Sequence, residues 1–218
     1  MRGTELRAQP LGDSAIAIAL GKERSAELLN QVHAAAATLA AEGLAEVQDI
    51  VPAYLGVAVF YDALRTSYKE LAPRLLAVCE RATGSTAVSD KVREHEIRVT
   101  YDGADLAHLC VSSGLPVDEV IARHSGRSYT VDLLGFVPGF AYLSELDPAL
   151  QLPRRPQPRT RVPAGSVAIA GAQTAVYPLD TPGGWHIIGR TDRVMFDPLG
   201  DPPALFRAGD IVRFVPAP

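Results

Sequence analysis

Apolar and polar positions alternate with several different periods along the first 82 residues. Ser14 to Leu20 is short and apolar and stops at Gly21, which predicts a strand. From Ser25 to Glu42, residues Leu28, Leu29, Val32, Ala35, Ala36, Leu39 and Ala40 recur at helical spacing, and Gly43 ends the run. That pattern predicts one amphipathic helix. Val47 to Tyr61 predicts two strands broken at Pro52, and in the second Leu55, Val57, Val59 and Tyr61 share one face. Another helix is expected over Ser67 to Ala82. Ser67 and Glu70 have capping-box spacing, whereas Pro73, lacking an N–H, favours a start near Ala72.

Strand, helix, two strands and helix, with one further strand, is a split βαβ layout of the ferredoxin-like kind. Gly84 to Glu94 is polar and without period, so a boundary is placed there, dividing residues 1–88 from residues 89–218. The second part reads differently. Ile97 to Tyr101 predicts a strand, Asp105 to Ser112 and Val117 to Arg123 two short helices, and Tyr129 to Leu134 a strand. After Phe136, Gly and Pro punctuate short β-type runs: Val167–Ala170, Ala175–Tyr177, His186–Ile188, Arg193–Phe196 and Ile211–Val215. Many short strands between turn signals predict a β-barrel or sandwich. The fold class expected is therefore α+β, a ferredoxin-like domain followed by a β-barrel.

Composition narrows the function. The 218 residues carry 21 Lys and Arg against 25 Asp and Glu, a net charge of −4. That balance argues against a nucleic-acid binder and against a polybasic membrane anchor. No apolar run approaches a membrane span, and Met1 to Pro10 has no apolar leader pattern, so a cytoplasmic protein is expected. Cys79 and Cys110 match no metal spacing and read as buried hydrophobes; no metal site is expected. No P-loop and no G-x-G-x-x-G after a strand occur, His95-Glu96 lacks the second His of a zinc motif, and Gly165-Ser166 lacks the frame of a nucleophile elbow.

The unusual stretch is Gly135 to Thr191, where turns enclose arginines, hydroxyls, an amide and aromatics. Arg forks a carboxylate, Gln and Thr hydrogen-bond an amide, and aromatics wall a pocket. The segments LGFVPGFAYL (134–143), PRRPQPRTRVPAGSVAIAG (153–171), QTAVYPLDTPGGWHIIGRT (173–191) and AGDIVRF (208–214), with IARHS (121–125), resemble one family. It is the family of the 5-oxoprolinase B subunit, also called allophanate hydrolase subunit 1. That family also includes an inhibitor of a sporulation sensor kinase. The likeness extends over nearly the whole chain. Ala141, Ala172 and the run Thr100-Tyr101-Asp102-Gly103 depart from its usual turns without removing a charged or hydroxyl group from the core motifs.

The resemblance implies a ferredoxin-like N-terminal domain and a cyclophilin-like barrel. It also implies partner subunits C (allophanate hydrolase subunit 2) and A, and ATP, with Mg, serving the complex as a whole. The implied reaction is ATP-dependent opening of 5-oxo-L-proline to L-glutamate. A lactam is a poor electrophile, so the reaction needs an anion clamp, oxyanion donors and exclusion of water. On this basis Arg159 and Arg161 are the expected cationic clamp, Gln173, Thr174 and Tyr177 the hydrogen-bonding groups, and His124 a proton shuttle. Ser166, Phe140 and Trp185 are candidate substrate contacts. Plainer readings stand beside these: His124 as a helix C-terminal cation, Ser166 as a turn cap, Trp185 as packing, and Arg154 and Arg155 as surface or interface. Two other functions stay open, a histidine-kinase inhibitor and a subunit of an allophanate or urea amidolyase-type hydrolase.

Overall fold

The computed structural model describes residues 6–83 and 92–217. Met1 to Glu5, and most of the expected boundary segment, lie outside the described residues. The chain forms two compact units, Met1–Lys91 and Val92–Pro218.

In the first unit, β1 (Arg7–Pro10), β2 (Ala15–Ala19), β3 (Val47–Pro52) and β4 (Gly56–Tyr61) form an antiparallel sheet in the order β1-β2-β4-β3. Ile16 pairs with Val59 and Ile18 with Val57, so one face is apolar. Helices α1 (Ala26–Ala41) and α2 (Tyr68–Thr83) cover it with Leu28, Val32, Leu39, Leu71 and Leu75. Ser25 caps α1, its hydroxyl accepting from the Leu28 N–H at 3.0 Å. The further strand is β1, which precedes β2 and carries no apolar pattern of its own. α2 begins at Tyr68 and not near Ala72. The Ser67 N–H and hydroxyl both donate to Glu70, at 3.1 and 2.8 Å, so the box holds the start. Pro73 sits inside the helix and cannot donate to the Lys69 carbonyl, but that turn is exposed and water can replace it.

The second unit contains β5 (Glu94–Val99), α3 (Leu106–Ser113), α4 (Val117–Ser125), β6 (Ser128–Leu134), β7 (Ala141–Ser144), β8 (Arg159–Val162), β9 (Ser166–Ala170), β10 (Gln173–Val176), β11 (Thr181–Gly183), β12 (His186–Arg190) and β13 (Ile211–Pro216). Seven strands form one sheet in the order β12-β9-β10-β7-β6-β13-β5. Thr100 and Arg190 exchange two backbone hydrogen bonds of 2.9 Å, which join the two edges into a nearly closed barrel. Ile97, Val131, Leu143, Val167, Ile169, Val212 and Phe214 fill its interior, and Leu109 and Val120 add from α3 and α4.

Strand β9, Ser-Val-Ala-Ile-Ala, is buried on both faces. Val167 and Ile169 join the barrel interior, while Ala168 and Ala170 join a second cluster with Val162, Phe140, Tyr177 and Trp185. The two-stranded ribbon of β8 and β11 contributes Val162 to that cluster. Arg193–Phe196, expected as a strand, makes only a single bridge between Phe196 and Ala204. Met195 enters the core and Val194 faces solvent, and the prolines that follow lack the N–H groups a ladder needs.

Candidate functional site

The outward alanines of β9 and β10 leave room above the sheet, and large aromatics fill it. Phe140 is the hub. Its ring meets Tyr142, Tyr177, Phe136 and Trp185 edge-on, with centroids 5.0, 5.3, 5.5 and 5.6 Å away. Over this cluster opens a cavity of about 190 Å³, lined also by Arg154, Pro158, Pro182, Gly183 and Gly184. A Cβ on Gly183 would lie 2.3 Å from the Tyr177 hydroxyl, so the ribbon can approach the ring this closely only with glycine there. Phe136 lies at the cavity, 60% exposed, with a left-handed φ of 69° that a non-glycine residue rarely adopts.

Tyr177 brings the one buried hydroxyl of this wall. Burial raises its pKa, opposed by the Trp185 backbone amide and by the charges of Arg154 and Arg159. The phenol therefore stays protonated at neutral pH and can donate a hydrogen bond.

The arginines divide sharply. Asp105, 4% exposed, accepts from Arg155 Nη1 at 2.7 Å and Arg159 Nη2 at 2.8 Å on one oxygen, and from the Ile187 N–H at 2.7 Å on the other. Burial pushes the Asp105 carboxyl up, but the bonds from Arg159 and Ile187 and the two positive charges outweigh it and hold its pKa below the usual value. Arg161 lies on the exposed side of the ribbon and binds Asp180 at 2.8 and 2.5 Å, while the Ala164 N–H caps the other Asp180 oxygen at 2.8 Å. Arg154 is exposed, lines the cavity, and makes no ion pair among the described residues.

Arg159 and Arg161, the expected clamp, are thus each placed in an ion pair. Both guanidinium groups already hold carboxylates, and the cation at the cavity without an ion pair among the described residues is Arg154. Part of this is readable in strand period: Val162 is buried, so its neighbour Arg161 points the other way. The partner acids Asp105 and Asp180 carry no local signal.

Phe140, Tyr177 and Trp185 are brought together as walls of one cavity, joined by Phe136 and Tyr142, for which the sequence leaves pocket wall, barrel plug and partner contact all open. His124 and Thr174 are elsewhere, inside the barrel. His124 is 0% exposed, and burial pushes its pKa down to about 3. Its Nδ1 lies 2.7 Å from the Tyr101 hydroxyl and its Nε2 2.9 Å from Thr174 Oγ1, which donates to the Ala168 carbonyl at 3.1 Å. One assignment satisfies all three: Tyr101 donates to Nδ1, Nε2–H donates to Thr174, and Thr174 donates to Ala168. The ring is neutral and enclosed, so it is neither the exposed cation of a helix end nor a group in reach of solvent protons. Gln173 opens β10 next to the β9–β10 turn and does not line the cavity. Ser166 is buried at the start of β9, and its carbonyl accepts the Tyr177 N–H at 2.9 Å. Among the described residues no three His, Cys, Asp or Glu side chains are grouped to hold a metal ion, and no helix is long and apolar enough to cross a membrane.

Residues 6–206 match the carboxyltransferase domain, subdomain C and D, family. The chain is 39% identical over 219 residues to the 5-oxoprolinase B subunit of Bacillus subtilis (strain 168), covering 95% of this chain and 91% of that protein. It also superposes on the crystal structure of TTHA0988 with a TM-score of 0.82 and 39% identity; the match covers 94% of this chain but 40% of that longer one. The urea amidolyase of Kluyveromyces lactis, at 16% identity and a TM-score of 0.77, shares the fold over 99% of this chain and 15% of its own length. With the family match running through both units and the Bacillus relative aligned nearly end to end, the chain belongs to the carboxyltransferase domain, subdomain C and D, family, among the B subunits of 5-oxoprolinase.

Proposed function

We propose that this chain is the lactam-binding subunit of an ATP-dependent complex that opens 5-oxo-L-proline to L-glutamate. The relatives' name supports the reaction, and one structural observation carries the site: an aromatic-walled cavity with one cation, Arg154, in its lining that makes no ion pair among the described residues. The substrate is a small flat ring bearing one amide and one carboxylate. The aromatic faces suit the ring, Arg154 forks the carboxylate, and the protonated Tyr177 hydroxyl donates to the lactam carbonyl. Enclosure among Phe140, Tyr142 and Trp185 limits water around the amide.

ATP, with Mg, supplies the phosphoryl group that makes the lactam carbon a better electrophile. In this reading ATP belongs to a cytoplasmic complex with subunits C and A, and this chain alone does not turn substrate over. His124, Thr174 and Gln173 serve the barrel and not the substrate. The first unit is then a ferredoxin-like domain whose fourth strand comes first in the chain, and the second a cyclophilin-like barrel. The test is glutamate release from 5-oxo-L-proline and ATP by this chain with subunits C and A, each omitted in turn. Release only from the full mixture supports the reading; no release from folded, associated subunits rejects it.

A further inference from the structure

We propose that Asp105 is a positioning residue that gives the cavity its preference for a carboxylate-bearing ligand, by fixing the segment that carries Arg154. The inference rests on the reading of this cavity as the lactam site.

Asp105 stands just before α3, where an acidic side chain commonly caps a helix, yet it makes no cap bond. Its carboxylate is turned away and buried, and each of its oxygens is bonded. Two partners, Arg155 and Arg159, bracket Pro158 of the cavity wall, and the third, the Ile187 amide, lies two residues beyond Trp185. Asp105 therefore ties the two sides of the cavity to one point. The same segment is stitched twice more: the Arg155 N–H donates to the Gly184 carbonyl at 2.8 Å, and His186 Nε2 lies 2.9 Å from the Pro153 carbonyl. Arg154 sits between these anchored neighbours.

Asp105 also sets which arginine is left outside an ion pair among the described residues. Three arginines, Arg154, Arg155 and Arg159, stand within six residues of one another along the chain. Asp105 engages two of them, so only Arg154 is left to meet a ligand anion. Arg155 Nε and Arg159 Nη1 are buried without partners. Without the carboxylate, both guanidinium groups would be unheld next to Arg154, and the wall segment would lose its anchor.

Trp185 is the only tryptophan in the chain and lines the cavity, so its emission reads occupancy. The full chain is titrated with 5-oxo-L-proline and with 5-oxo-L-prolinamide, which lacks the carboxylate. The wild type is expected to bind the acid about tenfold tighter than the amide. Asp105→Asn is expected to bring that ratio towards one while leaving amide affinity within about twofold, a change that general loosening of the fold would not produce. Arg155→Gln cuts the same tie at a partly exposed side chain and is expected to lower the ratio too, which keeps the test alive should Asp105→Asn fail to fold. Arg154→Ala separates the two ideas. Loss of the ratio in Arg154→Ala with a wild-type ratio in Asp105→Asn, or in Arg155→Gln where the former does not fold, overturns the positioning role and leaves the pocket reading standing. A wild-type ratio in Arg154→Ala, or no response of Trp185 to either ligand, overturns the pocket reading and this inference with it.

Discussion

His124 shows how far burial changes the meaning of a residue. A histidine after an apolar helix suits either a proton carrier or a helix-end cation, and both need a ring that can be protonated. Packed against Phe214, with centroids 4.6 Å apart, and bonded on both nitrogens, this ring is held neutral. The unfolded chain takes up a proton below about pH 6.5, whereas the folded chain does so only near 3. Stability is thus full above the unfolded value and falls as pH drops, by up to about 1.4 kcal/mol per pH unit. Asp105 and Asp210 are also lowered, by their hydrogen bonds and ion pairs and against burial, and lose their contribution only in the lower, carboxylate range. Denaturant unfolding between pH 6.5 and 5 therefore reads His124. We expect the wild-type midpoint to fall across that window. His124→Gln should be less stable at pH 8 by about 1–3 kcal/mol, because it disturbs buried hydrogen bonds, and its acid slope should be nearly flat. An unchanged slope in the variant would contradict this account.

At the scale of elements, β9 and α2 make opposite cases. β9 works because large and small side chains alternate: valine and isoleucine fill the barrel, and alanine makes room for the aromatic cluster. Ala168→Leu should push into Phe140, Tyr177 and Trp185, cost about 1–3 kcal/mol and red-shift the Trp185 emission. Unaltered emission and stability would mean the cluster does not depend on that small residue. In α2, Pro73→Ala restores the N–H that the Lys69 carbonyl lacks. It should raise the melting temperature, with a gain of about 1–3 kcal/mol trimmed by the added freedom of the unfolded chain. No gain would show that the turn is already satisfied.

These elements also show what a sequence can express. The period of α1 and the alternation of β9 are local, so both are readable. Arg193–Phe196 has the residues of a strand but pairs only through a single bridge to Ala204, and pairing is not a local property. The arginines follow the same logic. Whether Arg159 or Arg161 is free depends on Asp105, 54 residues back in the chain, and on Asp180, 19 residues on. The turn-rich block 135–191 contains the cavity, and Phe140, Tyr177 and Trp185 meet there, but distant partners decide which cation stays outside an ion pair.

At the scale of the molecule, the two units each enclose their own core, and the cavity belongs wholly to the second. The TTHA0988 chain carries the matching region within a much longer polypeptide. The curated relatives are named as subunits of 5-oxoprolinase, which is why activity is expected from the mixture and not from this protein alone.

The most direct test of the central claim is the rate of ATP-dependent glutamate release by the full set of subunits, containing wild-type chain, Arg154→Ala or Arg161→Ala. Arg154→Ala should lower kcat/KM by about 10- to 100-fold, chiefly through KM, as expected for loss of a charge-assisted contact to the substrate. Arg161→Ala, whose partner is the exposed Asp180, should stay within about twofold of wild type. The reverse pattern, with Arg154→Ala fully active and Arg161→Ala crippled, would place the substrate's carboxylate on the outer ribbon and contradict the site described here.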